Sequence, residues 1–226
     1  MLARIDSMGA TDVLLLGEQH DTSEHQELHR QIVQALAARG RLAAVAMEMA
    51  EQGYSTAGLP RDASEEAVQS ALRWGDAGWP WQPYRPAVMA AVAAGVPVVG
   101  ANLPRAQMRT VMSDTTLDTL LPEPALKAQQ NAIRIGHCEL LPETQIQPMT
   151  RVQIARDRAM AQTLAQVAVP GKTVVLVAGV GHVDPRLGVP QHMTTAALRV
   201  ESAAHPPQPP RKDYCEDMRR SIKQKR

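Results

Sequence analysis

Two loops far apart in the chain share glycine, histidine and a place just after an apolar run. Gly17-Glu18-Gln19-His20 follows Val13-Leu14-Leu15-Leu16, and Gly179-Val180-Gly181-His182 follows Thr173-Val174-Val175-Leu176-Val177. A third apolar run, Leu42-Ala43-Ala44-Val45-Ala46-Met47, ends on Glu48, with Glu51 three residues on. Two imidazoles and two carboxylates converging on one point can do one of two things. They can hold a divalent metal through nitrogen and oxygen, or they can act as a general acid–base set. Glu18, His20, Glu48 and His182 are therefore the candidate catalytic set, and Glu18, His20 and His182 the candidate metal ligands. Taken singly, each has a plainer reading. A histidine after a strand is usually a loop residue with its hydrogen bonds satisfied, and Glu18 can cap the helix that follows. Only the set as a whole argues for chemistry.

The elements that must position these residues can be read from periodicity. The three apolar runs lack polar alternation, as strands buried on both faces of a parallel sheet do. Between the first two, Leu28, Ile32, Val33 and Leu36 recur at helical spacing. Ser23 and Gln26 form a candidate capping box, and Gly40 is the stop. A helix is expected over Ser64–Trp74, another from about Pro86 to Ala94, and a strand at Val96–Val99. A mostly helical stretch covers Arg105 to about Ile135. A long amphipathic helix spans about Arg151–Val167, and a short strand is expected at Ala197–Val200. This order predicts an α/β fold: an open, mostly parallel β-sheet flanked by helices on both faces, with a helical insertion. Such sheets bind ligands beyond the carboxyl ends of their strands. There the sequence places Glu18, His20 and Asp21, then Glu48 and Glu51, then Asn102 and Arg105, and finally His182 and Asp184.

Composition narrows the classes. At 226 residues the chain suits one α/β domain, taken as residues 1–205, followed by a Pro-rich linker and basic tail over 206–226. A net charge of +1 gives no electrostatic footprint for nucleic acid. The run Arg219–Arg226 reads as a solvated tail. Neither cysteine, Cys138 nor Cys215, sits in a CxxC pair, which removes zinc ribbons and thioredoxin-like sites; the sequence leaves a single disulfide between them open. His137 and Cys138 are adjacent and point apart, so they form no dyad. No P-loop, dinucleotide fingerprint, Gly-x-Ser-x-Gly elbow or His-Glu-x-x-His is present. No apolar run approaches the roughly 20 residues of a membrane span, and Met1–Asp6 carry no apolar signal core. With no Phe and only three Tyr, Trp74, Trp79, Trp81 and Tyr84 stand out as a local concentration.

The segments Val13–Asp21, Met47-Glu48-Met49, Tyr84-Arg85-Pro86, Gly95–Asn102, Ala155–Met160 and Val177–His182, in that order, resemble the ChaN-like haem-binding proteins. That family is related to the Tiki metalloproteases and the erythromycin esterases. The resemblance implies a bacterial iron-acquisition protein, periplasmic or membrane-anchored as a lipoprotein. It implies haem held by tyrosine ligation in a pocket completed by a homodimer, and outer-membrane haem-uptake machinery as a partner. The candidate ligands are Tyr84 and Tyr214, with Tyr54 third; Asn102 and Arg105 are further cofactor-binding candidates. For Tyr84 the plain alternative is packing against Trp79 and Trp81; for Tyr214 it is a mobile tail. The relatives imply a second function, a divalent-metal-dependent hydrolase using Glu18, His20, Glu48 and His182. A third is a scaffold in which these groups only bond one another.

Overall fold

The computed structural model describes residues 11–75, 78–193, 198–209 and 212–224. Strands β1 (Val13–Glu18), β2 (Leu42–Glu51), β3 (Val98–Asn102), β4 (Thr173–Gly179) and β5 (Val200–Ala204) form one sheet in the order β3-β2-β4-β1-β5. Every pairing is parallel. Helix α1 is Ser23–Ala38, α2 Glu65–Leu72, α3 Trp81–Ala93, α4 Met108–Ser113, α5 Glu123–Gly136, α6 Glu143–Val167 and α7 Tyr214–Gln224.

The unbroken apolar runs are explained by cores on both faces. In β1, Leu14 and Leu16 point into one core with α1, α2 and α3, while Val13 and Leu15 point into the other with α6. Strand β4 divides the same way, with Val175 and Val177 on one side and Val174, Leu176 and Ala178 on the other. Each such side chain is fully buried, and each contributes about 1.5–3 kcal/mol on transfer from water. A smaller core joins the expected helical insertion to α6 through Leu117, Leu121 and Ile154.

Several boundaries move, for identifiable reasons. Helix α3 begins at Trp81 rather than Pro86, because Trp81, Tyr84, Val88 and Ala91 share a buried face; Pro86 lies inside the helix. Helix α6 begins at Glu143 rather than Arg151, with Pro148 inside it and Ile146 and Thr150 buried. Strand β3 starts at Val98 and runs through Asn102, and the last strand is Val200–Ala204 rather than Ala197–Val200, Ala197 lying outside the described residues. The capping box at the start of α1 is absent. Thr22 is the cap residue, and Gln26 Nε2 instead donates to the His20 carbonyl at 2.9 Å.

The C-terminal segment is not a free tail over its described length. His205 N–H donates to the Gly17 carbonyl at 2.9 Å, and Gln208 and Gln19 exchange two hydrogen bonds, 2.6 and 2.9 Å. Tyr214 O–H donates to Asp21 Oδ2 at 2.8 Å, and Cys215 is disulfide-bonded to Cys138. Pro210 of the expected linker and Lys225 and Arg226 of the basic run lie outside the described residues.

The bulged end of β2 sits tightly on β3. A Cβ on Gly100 would meet the Glu51 carbonyl oxygen at 2.0 Å, whereas one on Gly136 meets nothing within 4 Å. Gly100→Ala should therefore cost about 1–3 kcal/mol, with roughly 2–4 °C of Tm per kcal/mol at this length, while Gly136→Ala should be neutral or slightly stabilising. Thermal melts that show the same change for both variants would remove the close-approach account.

Candidate functional site

Strands β1 and β4 pair in register up to Glu18 opposite Gly179, so their two loops leave the sheet at the same height. A Cβ on Gly179 would lie 2.8 Å from His20 Nε2. Glycine here lets the second loop close on the first. The chain runs outward from β1 through β2 to β3 and then returns, so that β4 lies between β1 and β2 and the carboxyl ends of these three strands form a topological switch point.

Glu18 is buried at the end of β1. Its Oε1 accepts hydrogen bonds from Tyr84 O–H at 2.7 Å and His20 Nδ1 at 2.8 Å. His29 Nδ1 stands 3.3 Å from Oε2, outside hydrogen-bond geometry. Glu48 Oε2 accepts the Gly179 N–H at 2.8 Å, and its Oε1 lies 3.3 Å from His182 Nε2. His182 Nδ1 reaches Asp157 Oδ1 of α6 at 2.6 Å. His20 Nε2 is 3.9 Å from Glu48 Oε2, which links the two halves. The structure thus brings Glu18, His20, Glu48 and His182 together in one polar chain along the sheet edge.

The ionisation of this chain decides its chemistry. Burial alone would lower the pKa of His182, but Glu48 and Asp157, one at each ring nitrogen, raise it to about 10. Burial alone would raise Glu48; the His182 charge and hydrogen bond, His20 and the Gly179 N–H bring it down to about 2. Asp157 responds in the opposite sense, lifted to about 6 chiefly by burial although His182 pulls it down. The short contact and the flanking carboxylates favour an imidazolium between two carboxylates at neutral pH. His20 is also raised: burial opposes it, and its hydrogen bond to Glu18 and the charges of Glu48 and Glu18 outweigh burial.

An imidazolium with both N–H groups turned to carboxylates has no lone pair for a metal and cannot accept a proton. For His182 to ligate a metal or serve as a base, one of those protons would first have to leave the ring. Among the described residues, no group of three or more His, Cys, Asp or Glu side chains is arranged to hold a metal ion.

Other expected residues fall in different places. Tyr84, the first candidate iron ligand, lies inside the core. It is only 2% exposed, packs among Trp74 and Trp79, and spends its hydroxyl on Glu18. Burial first, and then the Glu18 charge, push its ionisation far above the ordinary phenol range. Tyr54 lies under the Arg73 guanidinium, 4.7 Å from ring centroid to cation. Tyr214 is 45% exposed and bonded to Asp21. Asn102 Nδ2 donates to the Glu48 carbonyl at 2.8 Å, and Arg105 N–H donates to Glu51 Oε1 at 3.0 Å. Asp184 pairs with Arg186 and stands apart from the chain.

Sequence reasoning missed Asp157, although it interrupts the buried face of α6 as a fully buried carboxylate. It also missed His25 and His29, four apart on α1, and His205. His29 Nε2 meets His205 Nε2 at 2.9 Å, and His25 stacks on the His205 ring at 4.7 Å. Burial, followed by the neighbouring imidazoles, keeps His29 well below its ordinary value. An open hollow of about 450 Å³ lies over the chain, walled by His20, Trp79, Arg156 and Val180. A second, of about 380 Å³, opens toward β3.

The class is thus an open, all-parallel α/β domain whose ligand edge is a buried carboxylate–imidazole chain. The sequence profile described as haem-binding uptake, Tiki superfamily, ChaN matches residues 4–193, and the chain belongs to that family. A solved structure described as cofacial haem binding to ChaN of Campylobacter jejuni shares its fold, with TM-score 0.73 and 22% identity over 90% of this chain and 84% of that one. The type III effector HopBA1 is more distant, with TM-score 0.43 and 19% identity over 76% and 67% of the two chains. No curated protein sequence matches.

The sign of the pH dependence follows from the His182 shift. Its folded pKa of about 10 exceeds the ordinary 6.5, so its stabilisation is complete below 6.5 and is lost as pH rises through about 10. Glu48, lowered from 4.5 to about 2, contributes stability that is present above 4.5 and lost as pH falls through about 2. Urea unfolding of the wild type should therefore weaken from neutral pH into the alkaline range, by at most about 1.4 kcal/mol per pH unit. His182→Gln should be less stable by about 3–5 kcal/mol at neutral pH and lack that slope. Parallel pH profiles for the two proteins would show that the imidazolium is not there.

Proposed function

We propose that the chain binds haem on the open face of this edge, with Tyr214 as the axial ligand. Family membership supports haem as the ligand, and one observation singles out the tyrosine. Of the three, Tyr214 alone has an exposed phenol at this edge, held there from both sides. Asp21 Oδ2, 2.8 Å away, is placed to take the phenolic proton when the oxygen turns to metal. Cys215, the next residue, is tied to Cys138, which fixes the root of the ligand arm. Trp79 and Val180 give the hollow over the polar chain apolar surface, suited to a porphyrin face. Ferric haem supplies an iron that accepts an anionic oxygen ligand.

The hollow is shallow and open on one side, so a second copy of the chain closing over it is the natural completion, and we propose a homodimer. The disulfide supports an oxidising compartment, periplasmic or at a membrane surface, with outer-membrane haem-uptake machinery as the exchange partner. In this reading the buried polar chain is support: it fixes His20 and Trp79 at the floor, with ring centroids 4.6 Å apart.

Haem titration of the oxidised full chain tests the reading. A saturable Soret shift is expected in the wild type and in Tyr84→Phe. Tyr214→Phe should bind at least about tenfold more weakly, Cys215→Ser should show a smaller loss, and mass by light scattering should double on saturation. A wild type without a saturable Soret shift, or a Tyr214→Phe protein that binds as well as wild type, would sink it.

A further inference from the structure

The second hollow lies at the other end of the sheet edge, against β2 and β3, away from the β1 side where Tyr214 sits. Its wall contains Arg73, Arg105 and Arg156, together with Trp79, Leu103 and Met108. We propose that it is a binding site for a small organic anion whose carboxylate or phosphate is held by these arginines and whose body lies against the apolar wall. This goes beyond haem binding and does not rest on it.

The charge balance carries the inference. Among the described residues two carboxylates also line the hollow, and both are engaged elsewhere. Glu48 uses Oε2 on the Gly179 N–H and Oε1 on His182, and Glu51 Oε1 takes the backbone N–H of Arg105. Among the described residues, none of the three guanidinium groups has a carboxylate within ion-pair distance. Asp157 is near enough to feel the Arg156 charge, but it is hydrogen-bonded to His182. Arg73 makes a cation–π contact with Tyr54, which holds its guanidinium at the wall. The Nε of Arg156 is buried without a hydrogen-bond partner, and so is Oδ1 of Asn102, which also lines the hollow.

The buried Nε of Arg156 and Oδ1 of Asn102 are costly without partners unless a ligand supplies them, and Arg73 and Arg105 add positive charge at the exposed rim. Guanidinium is planar and forked, which matches carboxylate and phosphate oxygens two at a time. The unpaired Asn102 oxygen adds a place for a ligand donor. A volume of about 380 Å³ is large enough for a molecule and not only an ion. Arg156, Trp79 and Glu48 line both hollows, so the anion would sit directly beside the polar chain.

The test is calorimetric titration of the oxidised full chain with benzoate and with phenyl phosphate. At least one should bind saturably, and the stronger of the two identifies the head group. Arg105→Gln, at an exposed position, should weaken that binding about tenfold or more, and so should Arg156→Gln if it folds. Arg186→Gln removes the same charge outside the hollow and should leave binding unchanged. Saturable binding of neither probe, or wild-type affinity in Arg105→Gln, overturns the proposal. It is also overturned if neither probe binds while Arg105→Gln loses haem affinity tenfold, because the arginines then belong to haem.

Discussion

An imidazolium between two buried carboxylates joins a helix to the ends of two neighbouring strands. Asp157 comes from the helix on one face, Glu48 from the bulged end of β2, and His182 from the turn after β4. Each of these charges alone would be expensive at its depth, and removing any one leaves the others uncompensated. The helix, the bulge and the turn are therefore fixed relative to one another by a single electrostatic unit. Glu18, His20 and Tyr84 continue it across the first loop to the aromatic helix on the opposite face. The sheet supplies the spacing, and the polar chain couples its two faces.

Much of this was legible in the sequence, and what was missed has a physical pattern. The apolar runs and helical periodicities lead to an α/β sheet with ligand-side loops, because burial on both faces forces unbroken apolar strands. The glycine–histidine loops are legible for a related reason: two loops leaving adjacent strands at one height need a residue without a side chain where they touch. Element starts were less legible. Proline suggests a beginning at Pro86, yet buried Trp81 and Tyr84 extend the helix past it. Asp157 reads as a surface residue of a charged helix until its partner is known, and His182 lies 25 residues further on. Periodicity records which face is buried, but it does not record which polar group has a partner there.

Reading residue types alone also confuses support with contact. Four acid–base residues at a strand edge suggest a metal or a nucleophile. In the structure their donors and acceptors face one another. The exposed chemistry lies to either side of them: a phenol held by a disulfide and a carboxylate at one end, and arginines around a small hollow at the other. The tyrosine buried among tryptophans and the tyrosine on the C-terminal arm have the same side chain. One donates to Glu18 inside the core, and the other donates to Asp21 from an exposed position.

The register that puts Glu18 opposite Gly179 has one more consequence. The height of the polar chain is measured by ladder hydrogen bonds between two central strands, not by the lengths of the loops that carry it. The aromatic helix, the helical insertion and the C-terminal arm are all attached outside that ruler. They can be lengthened, replaced or recruited to new ligands while the central spacing stays constant. Such a scaffold lets recognition diverge at its periphery over an almost unchanged interior.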